Sequence, residues 1–270
     1  MVFGEKTVMI RFATYTLIAS LLWIAPGTAR AAEAVRLIAH RGGVVDAHHP
    51  ENSAGAAEEA IRRGYWMLEM DLQESKDGRL VVHHDDFEKS FGVRQWPRQM
   101  TWEQIRKLRA AEDGSRPLEF SEYAALCRGR IQLMIDTKGP SHPRAFYETL
   151  EHTLRENGLL DGAYFIGTEE ARAYFKGKAR ISVERAELQK KLDAGEETAR
   201  LYFLFEHGTT LDAEGMALAR RAGIPPVVSI NEFHYAGKDH MQAAHADVER
   251  LRHLGLADFQ IDSAYDIWLR

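Results

Sequence analysis

Apolar residues fall along this chain in two alternating rhythms. Short runs rich in Val, Ile, Leu and Phe recur at Arg36–His40, Trp66–Leu72, Ile131–Asp136, Ala163–Ile166, Arg180–Val183, Leu201–Glu206, Pro226–Ile230 and Phe259–Ile261, each of a length suited to a buried strand. Between them lie helical patterns at Ala54–Arg63, Pro143–Asn157, Glu169–Phe175, Arg185–Ala194, Asp212–Ala222 and Met241–Leu254. The second gap departs from the rhythm: it holds a hairpin turning at Asp77-Gly78 and two short helices. Eight strands separated by helices predict an α/β chain folded as a single-domain (β/α)8 TIM barrel, with a small hairpin and short-helix insertion after the second strand. An open doubly wound sheet is the competing arrangement, disfavoured because no Gly-x-Gly-x-x-Gly turn follows the first strand. No Pro/Gly/Ser-rich linker and no long internal repeat divides the chain.

A barrel makes a geometric demand, because its chemistry gathers at the C-terminal ends of the strands. His40 ends the first strand, Glu69 and Asp71 lie late in the second, Asp136 and Lys138 follow the third, and Glu206, Asn231 and Asp262 end the sixth, seventh and eighth. All are therefore expected on one rim. Glu69 and Asp71 are two apart in a strand and leave the same face, with Leu68, Met70 and Leu72 pointing into the helical layer.

The first 31 residues form a separate object. Lys6 and Arg11 precede an apolar run from Phe12 to Pro26, and Ala29-Arg30-Ala31 follows in the form of a cleavage site. This reads as a secretory signal peptide over residues 1–31, cleaved near Ala31, leaving the barrel domain over 32–270 in a periplasmic or secreted protein. An uncleaved anchor is the alternative, but the run falls short of the roughly 20 apolar residues that span a bilayer, so no stable membrane span is expected after cleavage. Losing three cations and one carboxylate takes the net charge from −5 to −7. Such acidity argues against nucleic acid as a partner. With a single cysteine, Cys127, the chain cannot form an internal disulfide and must be held by its core, for which 45% hydrophobic residues suffice.

The polar groups of residues 40–138 suit metal-assisted attack on a phosphorus ester. Glu69, Asp71 and Asp136 converge and would repel one another unless compensated. An all-oxygen set of this kind favours Mg²⁺ or Ca²⁺, and a salt-bridge cluster with Lys138 and Arg41 is the alternative. His40 and His84 are the candidates for general acid and base, since imidazole titrates near neutral pH. His83 is expected to face the other way from His84. Arg41 and Lys138 offer a fork and a point charge for the non-bridging oxygens of a phosphodiester. Asn52 in Pro50-Glu51-Asn52-Ser53 is read, like Glu51, as support behind the metal site, with capping of the helix that begins near Ala54 as the alternative. Glu51 is read as support behind the metal site, while His48 and His49 are read as facing solvent. Phe233, His234 and Tyr235 are read either as an aromatic wall for a head group or acyl chain or as surface loop residues.

The ordered set Ala39-His40-Arg41-Gly42-Gly43, Pro50-Glu51-Asn52-Ser53, Glu69-Met70-Asp71, Asp77-Gly78 and His83-His84-Asp85 resembles the glycerophosphodiester phosphodiesterase family. In that family His-Arg-Gly, Pro-Glu-Asn, Glu-x-Asp, Asp-Gly and His-Asp follow one another in this order. The resemblance implies a divalent ion on Glu69, Asp71 and a third acid, phosphate contacts at Arg41 and Lys138, and catalytic histidines at His40 and at His84, the member of its pair that precedes Asp. It further implies hydrolysis of small-molecule glycerophosphodiesters to sn-glycerol 3-phosphate and an alcohol. Three departures stand out. Asp136-Thr137-Lys138 replaces the usual Glu-x-Lys, Ser53 replaces Thr, and the C-terminal third carries Ser229-Ile230-Asn231 and Ile261-Asp262-Ser263 in place of the usual Trp-x-x-Asn and Thr-Asp-x-Pro. Two other functions compete: a barrel phospholipase acting on lysophospholipid or sphingolipid through a cyclic phosphate, and a non-catalytic phosphodiester-binding protein.

Overall fold

The computed structural model describes residues 1–4, 34–111, 113–139 and 141–270. Chain contacts separate Met1–Ala32 from Glu33–Arg270, and the second unit builds the whole barrel. Apart from its first four residues, the expected signal peptide lies outside the described residues. No helix among the described residues is long and apolar enough to cross a membrane.

Eight parallel strands close into a ring in the order β1 (Arg36–Ala39), β2 (Met67–Glu74), β5 (Gln132–Thr137), β6 (Tyr164–Phe165), β7 (Arg180–Val183), β8 (Tyr202–His207), β9 (Pro226–Ile230) and β10 (Asp258–Ile261), with β10 pairing back onto β1. This closure excludes the open sheet. The last third of β2 runs beyond the ring and forms an antiparallel extension with β3 (Leu80–Val82), which pairs with β4 (Leu118–Glu119). The hairpin closes through Asp77-Gly78, with Gly78 at φ 80°. Helices Ala54–Arg62, Phe120–Cys127, Arg144–Glu156, Glu169–Phe175, Arg185–Asp193, Ala213–Ala222 and His240–His253 pack outside.

Strand alternation divides the apolar residues between two cores. Leu68, Met70 and Leu72 of β2 join Leu133 and Ile135 of β5 in the large core between sheet and helices. Met67 and Met134 point inward, where with Ile38, Tyr164, Phe203 and Val227 they plug the barrel. Above this plug the next inward positions of the same strands are Glu69, Asp71 and Asp136, with Asp71 and Asp136 directly paired in register. The period of two thus lays a charged layer on an apolar one.

The segment after β1 is shaped by close approach. Gly43, at φ 149°, lies so near the helix Ala54–Arg62 that an added Cβ would sit 2.1 Å from the Ala56 carbonyl oxygen. The small buried residues Ala56, Ala57 and Ala60 let that helix come in. Arg41 and Asn52 both adopt left-handed backbone at φ 53° and 57°. Each such residue costs on the order of 1–3 kcal/mol and persists only where surrounding contacts hold it. Here the two hold each other, as the Asn52 amide donates to the Arg41 carbonyl at 2.7 Å.

Candidate active site

Glu69, Asp71 and Asp136 each offer a carboxylate oxygen, and the three oxygens lie within 4.8 Å of one another. Glu69 and Asp71 are only 2% and 1% exposed. Burial is the main cause that pushes the Glu69 and Asp136 carboxyls above their ordinary range, and the neighbouring Asp71 charge adds to it in both. Such a cluster demands positive charge. Lys138 meets part of the demand, its ammonium lying 2.5 Å from Asp136 and 3.2 Å from Asp71. Burial works against the Lys138 cation, but Asp71, Asp136 and Glu69 together hold its pKa above the usual lysine value. One ammonium against three carboxylates leaves an oxygen-rich nest whose donor set fits a hard divalent ion.

The strained turn after β1 serves this nest directly. Its left-handed backbone aims the Arg41 amide at Glu69 Oε2, 3.0 Å away. Asn52, turned by its own left-handed conformation, donates from Nδ2 to Asp71 Oδ2 at 2.9 Å. The helix cap, the alternative role read for Asn52, falls to Ser53, whose Oγ accepts from the Ala56 amide. A residue at φ 57° cannot take the extended conformation of an N-cap, so the Asn52 side chain is released toward the acids. Glu51 accepts from Arg41 Nη1 at 2.6 Å, and Arg41 is the residue whose amide meets Glu69.

His40 lies beside the acids, with Nε2 4.0 Å from Glu69 Oε2 and Nδ1 2.6 Å from Asp262 Oδ1. Burial opposes its protonation, yet the bond to Asp262 and the charges of Glu69, Asp262 and Asp71 raise its pKa above the ordinary value. His84 Nε2 is 3.5 Å from Arg41 Nη2, and its Nδ1 forms an ion-pair contact with Asp85 at 2.9 Å that is poorly aligned for a hydrogen bond. Its backbone is fixed by Gln73, the inward residue of β2 beyond the ring, whose Nε2 donates to the carbonyls of His83, His84 and Asp85 at 2.9–3.1 Å. His83 turns away as its register requires: it is 3% exposed, stacks on Phe87 at 4.6 Å and lies 3.0 Å from the Asp86 carbonyl oxygen.

Of two further strand-end residues expected on the rim, one faces the outer layer and one lies at the site. Glu206 points outward to a two-bond pair with Arg185, because the inward residues of β8 are Phe203, Phe205 and His207. Asn231 is buried and lies 3.4 Å from Asp262. His48 is exposed and His49 half-buried against Asp46. Of the aromatic trio, Phe233 flanks His40 at 6.1 Å between ring centres, His234 stacks on His207 at 4.2 Å, and Tyr235 is buried on Asp247. The sequence reading missed Gln73 and His207, whose only signal was their inward parity on β2 and β8.

The sequence model of the glycerophosphoryl diester phosphodiesterase family matches residues 40–252. The chain is similar to a glycerophosphodiester phosphodiesterase of Bacillus altitudinis, 33% identical over 49% of this chain and 59% of that protein. It is also similar to human glycerophosphodiester phosphodiesterase 1, 31% identical over 40% of this chain and 35% of that protein. The chain thus spans between a third and three fifths of the length of these curated relatives. In structure it resembles a glycerophosphodiester phosphodiesterase from Agrobacterium tumefaciens at TM-score 0.66 and 20% identity, covering 87% of this chain and 99% of that one. It also resembles an Oleispira antarctica phosphodiesterase in complex with sn-glycerol-3-phosphate, at TM-score 0.64 and 18% identity over 86% of this chain and 94% of that one. These two likenesses speak for the barrel, and the family match over most of the chain decides its kinship: this protein belongs to the glycerophosphoryl diester phosphodiesterase family.

Proposed function

We propose that this chain is an exported, metal-dependent phosphodiesterase that hydrolyses glycerophosphodiesters to sn-glycerol 3-phosphate and an alcohol, with His40 and His84 as general acid and base. One observation carries the reading: a largely buried three-acid nest lies beside two histidines that follow separate strands, with Arg41 touching both the Glu69 carboxylate and His84. Glu69, Asp71 and Asp136 would hold a divalent ion, Mg²⁺ or Ca²⁺, which supplies charge neutralisation at the phosphoryl oxygens when bound. Arg41 and Lys138 bind the non-bridging oxygens. Glu51 holds the Arg41 fork in place for that contact. One histidine takes a proton from the attacking water while the other delivers a proton to the departing alkoxide. Asp262 acts through His40, accepting from Nδ1 so that Nε2 faces the acids. The apolar run and Ala29-Arg30-Ala31 of the first 31 residues support export.

Purified protein assayed against glycerophosphocholine, glycerophosphoethanolamine and lysophosphatidylcholine, with and without chelator, tests the proposal. Release of sn-glycerol 3-phosphate that stops on chelation is expected. A cyclic phosphate product would replace this reading with the phospholipase alternative, and binding without turnover would leave only a phosphodiester-binding protein.

A further inference from the structure

We propose that the cleft beside His40 receives the alcohol half of the diester and selects an alcohol carrying a quaternary ammonium group. The proposal rests on the phosphodiesterase reading above and extends it to the substrate. A cleft of about 420 Å³ opens from His40 and Arg41 toward the loops that follow β9 and β10. None of the three acids of the nest lines it. Arg41 lines the cleft and Lys138 does not, so a phosphate held by both cations sits where the cleft meets the nest, and the substituent it carries extends toward Asp262.

The lining of the cleft sets the chemistry of that substituent. Three carboxylates, Glu51, Glu232 and Asp262, face one guanidinium, Arg41, and two imidazoles, His40 and His240, so the wall is negative unless both imidazoles are protonated. Glu51 is spent on Arg41 and Asp262 on His40, whereas the Glu232 carboxylate makes no ion pair among the described residues. Beside it stands Phe233, 61% exposed and 6.1 Å from the His40 ring. Within residues 34–270, the exposed large apolar side chains described are Val45, Phe233 and Ile267, and two of these three line this cleft. An exposed phenyl ring next to an uncommitted carboxylate attracts a cation with an apolar surface, which a trimethylated ammonium has and a primary ammonium lacks. A neutral polyol can donate hydrogen bonds to the carboxylate but brings no cation to the phenyl face. The substrate then matches the site end to end, with its phosphate on Arg41 and Lys138 and its ammonium beside Glu232 and Phe233.

The test compares kcat/KM for glycerophosphocholine, glycerophosphoethanolamine and glycerophosphoglycerol in the full-length wild type, Phe233→Ala and Glu232→Gln. The choline diester should exceed the glycerol diester by about tenfold or more in the wild type, mainly through KM, and both substitutions should pull that ratio toward one. A second measurement needs no turnover: calorimetric titration of choline chloride should show saturable binding, at least about tenfold weaker in Phe233→Ala. Phe233-dependent turnover of lysophosphatidylcholine above that of glycerophosphocholine would still support the head-group site, with lipid as the source of the choline. Equal kcat/KM for all three diesters, or a preference that neither substitution touches, overturns this inference while leaving the phosphodiesterase reading intact. Choline binding without hydrolysis of any diester would do the reverse.

Discussion

His40 Nδ1 lies 2.6 Å from Asp262 Oδ1, and this bond joins the residues that directly follow Ala39 and Ile261, a register pair of neighbouring strands β1 and β10. Barrel closure therefore creates the contact, although 222 residues separate the partners in sequence. Asp262 is thereby assigned as a positioning residue for His40. Asp262→Asn should keep the fold and lower kcat on the order of 10²-fold, the lower end of what a lost general acid or base costs. Because Asp262 helps to raise the His40 pKa, the limb of the pH–kcat profile that His40 controls should move to lower pH in the variant. An unmoved limb would remove Asp262 from this role.

The two neighbouring histidines separate position from composition. If His84 works as acid or base, His84→Ala should lose on the order of 10²–10⁴ in kcat with metal content near wild type. His83→Ala should lose much less, since His83 packs on Phe87 and faces the Asp86 carbonyl. p-Nitrophenyl esters should partly rescue whichever histidine variant lacks the acid, because p-nitrophenolate departs without a proton. A silent His84→Ala beside a crippling His83→Ala would invert the assignment.

Much of this site is legible in one dimension because strands impose a parity. Glu69, Asp71 and Asp136 could be placed inward from spacing alone, and so could the opposite facing of His83 and His84. What spacing does not carry is the shape of loops. The left-handed conformations of Arg41 and Asn52 decide that Asn52 holds Asp71 and that Ser53 caps the helix, and no periodicity reports a φ angle. Glu206 shows the opposite failure, a polar strand end whose one-residue offset from Phe205 and His207 turns it to the outer layer.

The third acid is one methylene shorter than the family's usual glutamate, and here it shares the Lys138 ammonium with Asp71. Chelation followed by extended dialysis should abolish activity, and Mg²⁺ or Ca²⁺ should restore it. Asp136→Glu should retain the fold and bind the ion at least as tightly, as read by titration calorimetry. Asp71→Asn should lose the ion, because the substitution removes one of the three carboxylate charges that would balance it. Full activity of the dialysed protein in excess chelator would contradict the assignment of this nest to a metal.

His83 carries a separate prediction, about stability. Burial is the principal cause that lowers its pKa below the ordinary histidine value of 6.5, outweighing the opposing pull of the Asp86 carbonyl. Folded His83 therefore stays neutral in a range where the unfolded chain binds a proton at the same residue. The contribution is fully present above pH 6.5 and is lost as pH falls from there toward the lowered folded value. Replacing His83 with Phe removes the titration while keeping a ring to stack on Phe87. Urea unfolding of both proteins at intervals from pH 7.5 to 5 should show the stability of the wild type falling faster with acidity than that of His83→Phe. Parallel curves would mean that His83 is protonated as readily in the folded protein as in the unfolded one, and that its burial between Phe87 and Phe91 does not exclude the charge.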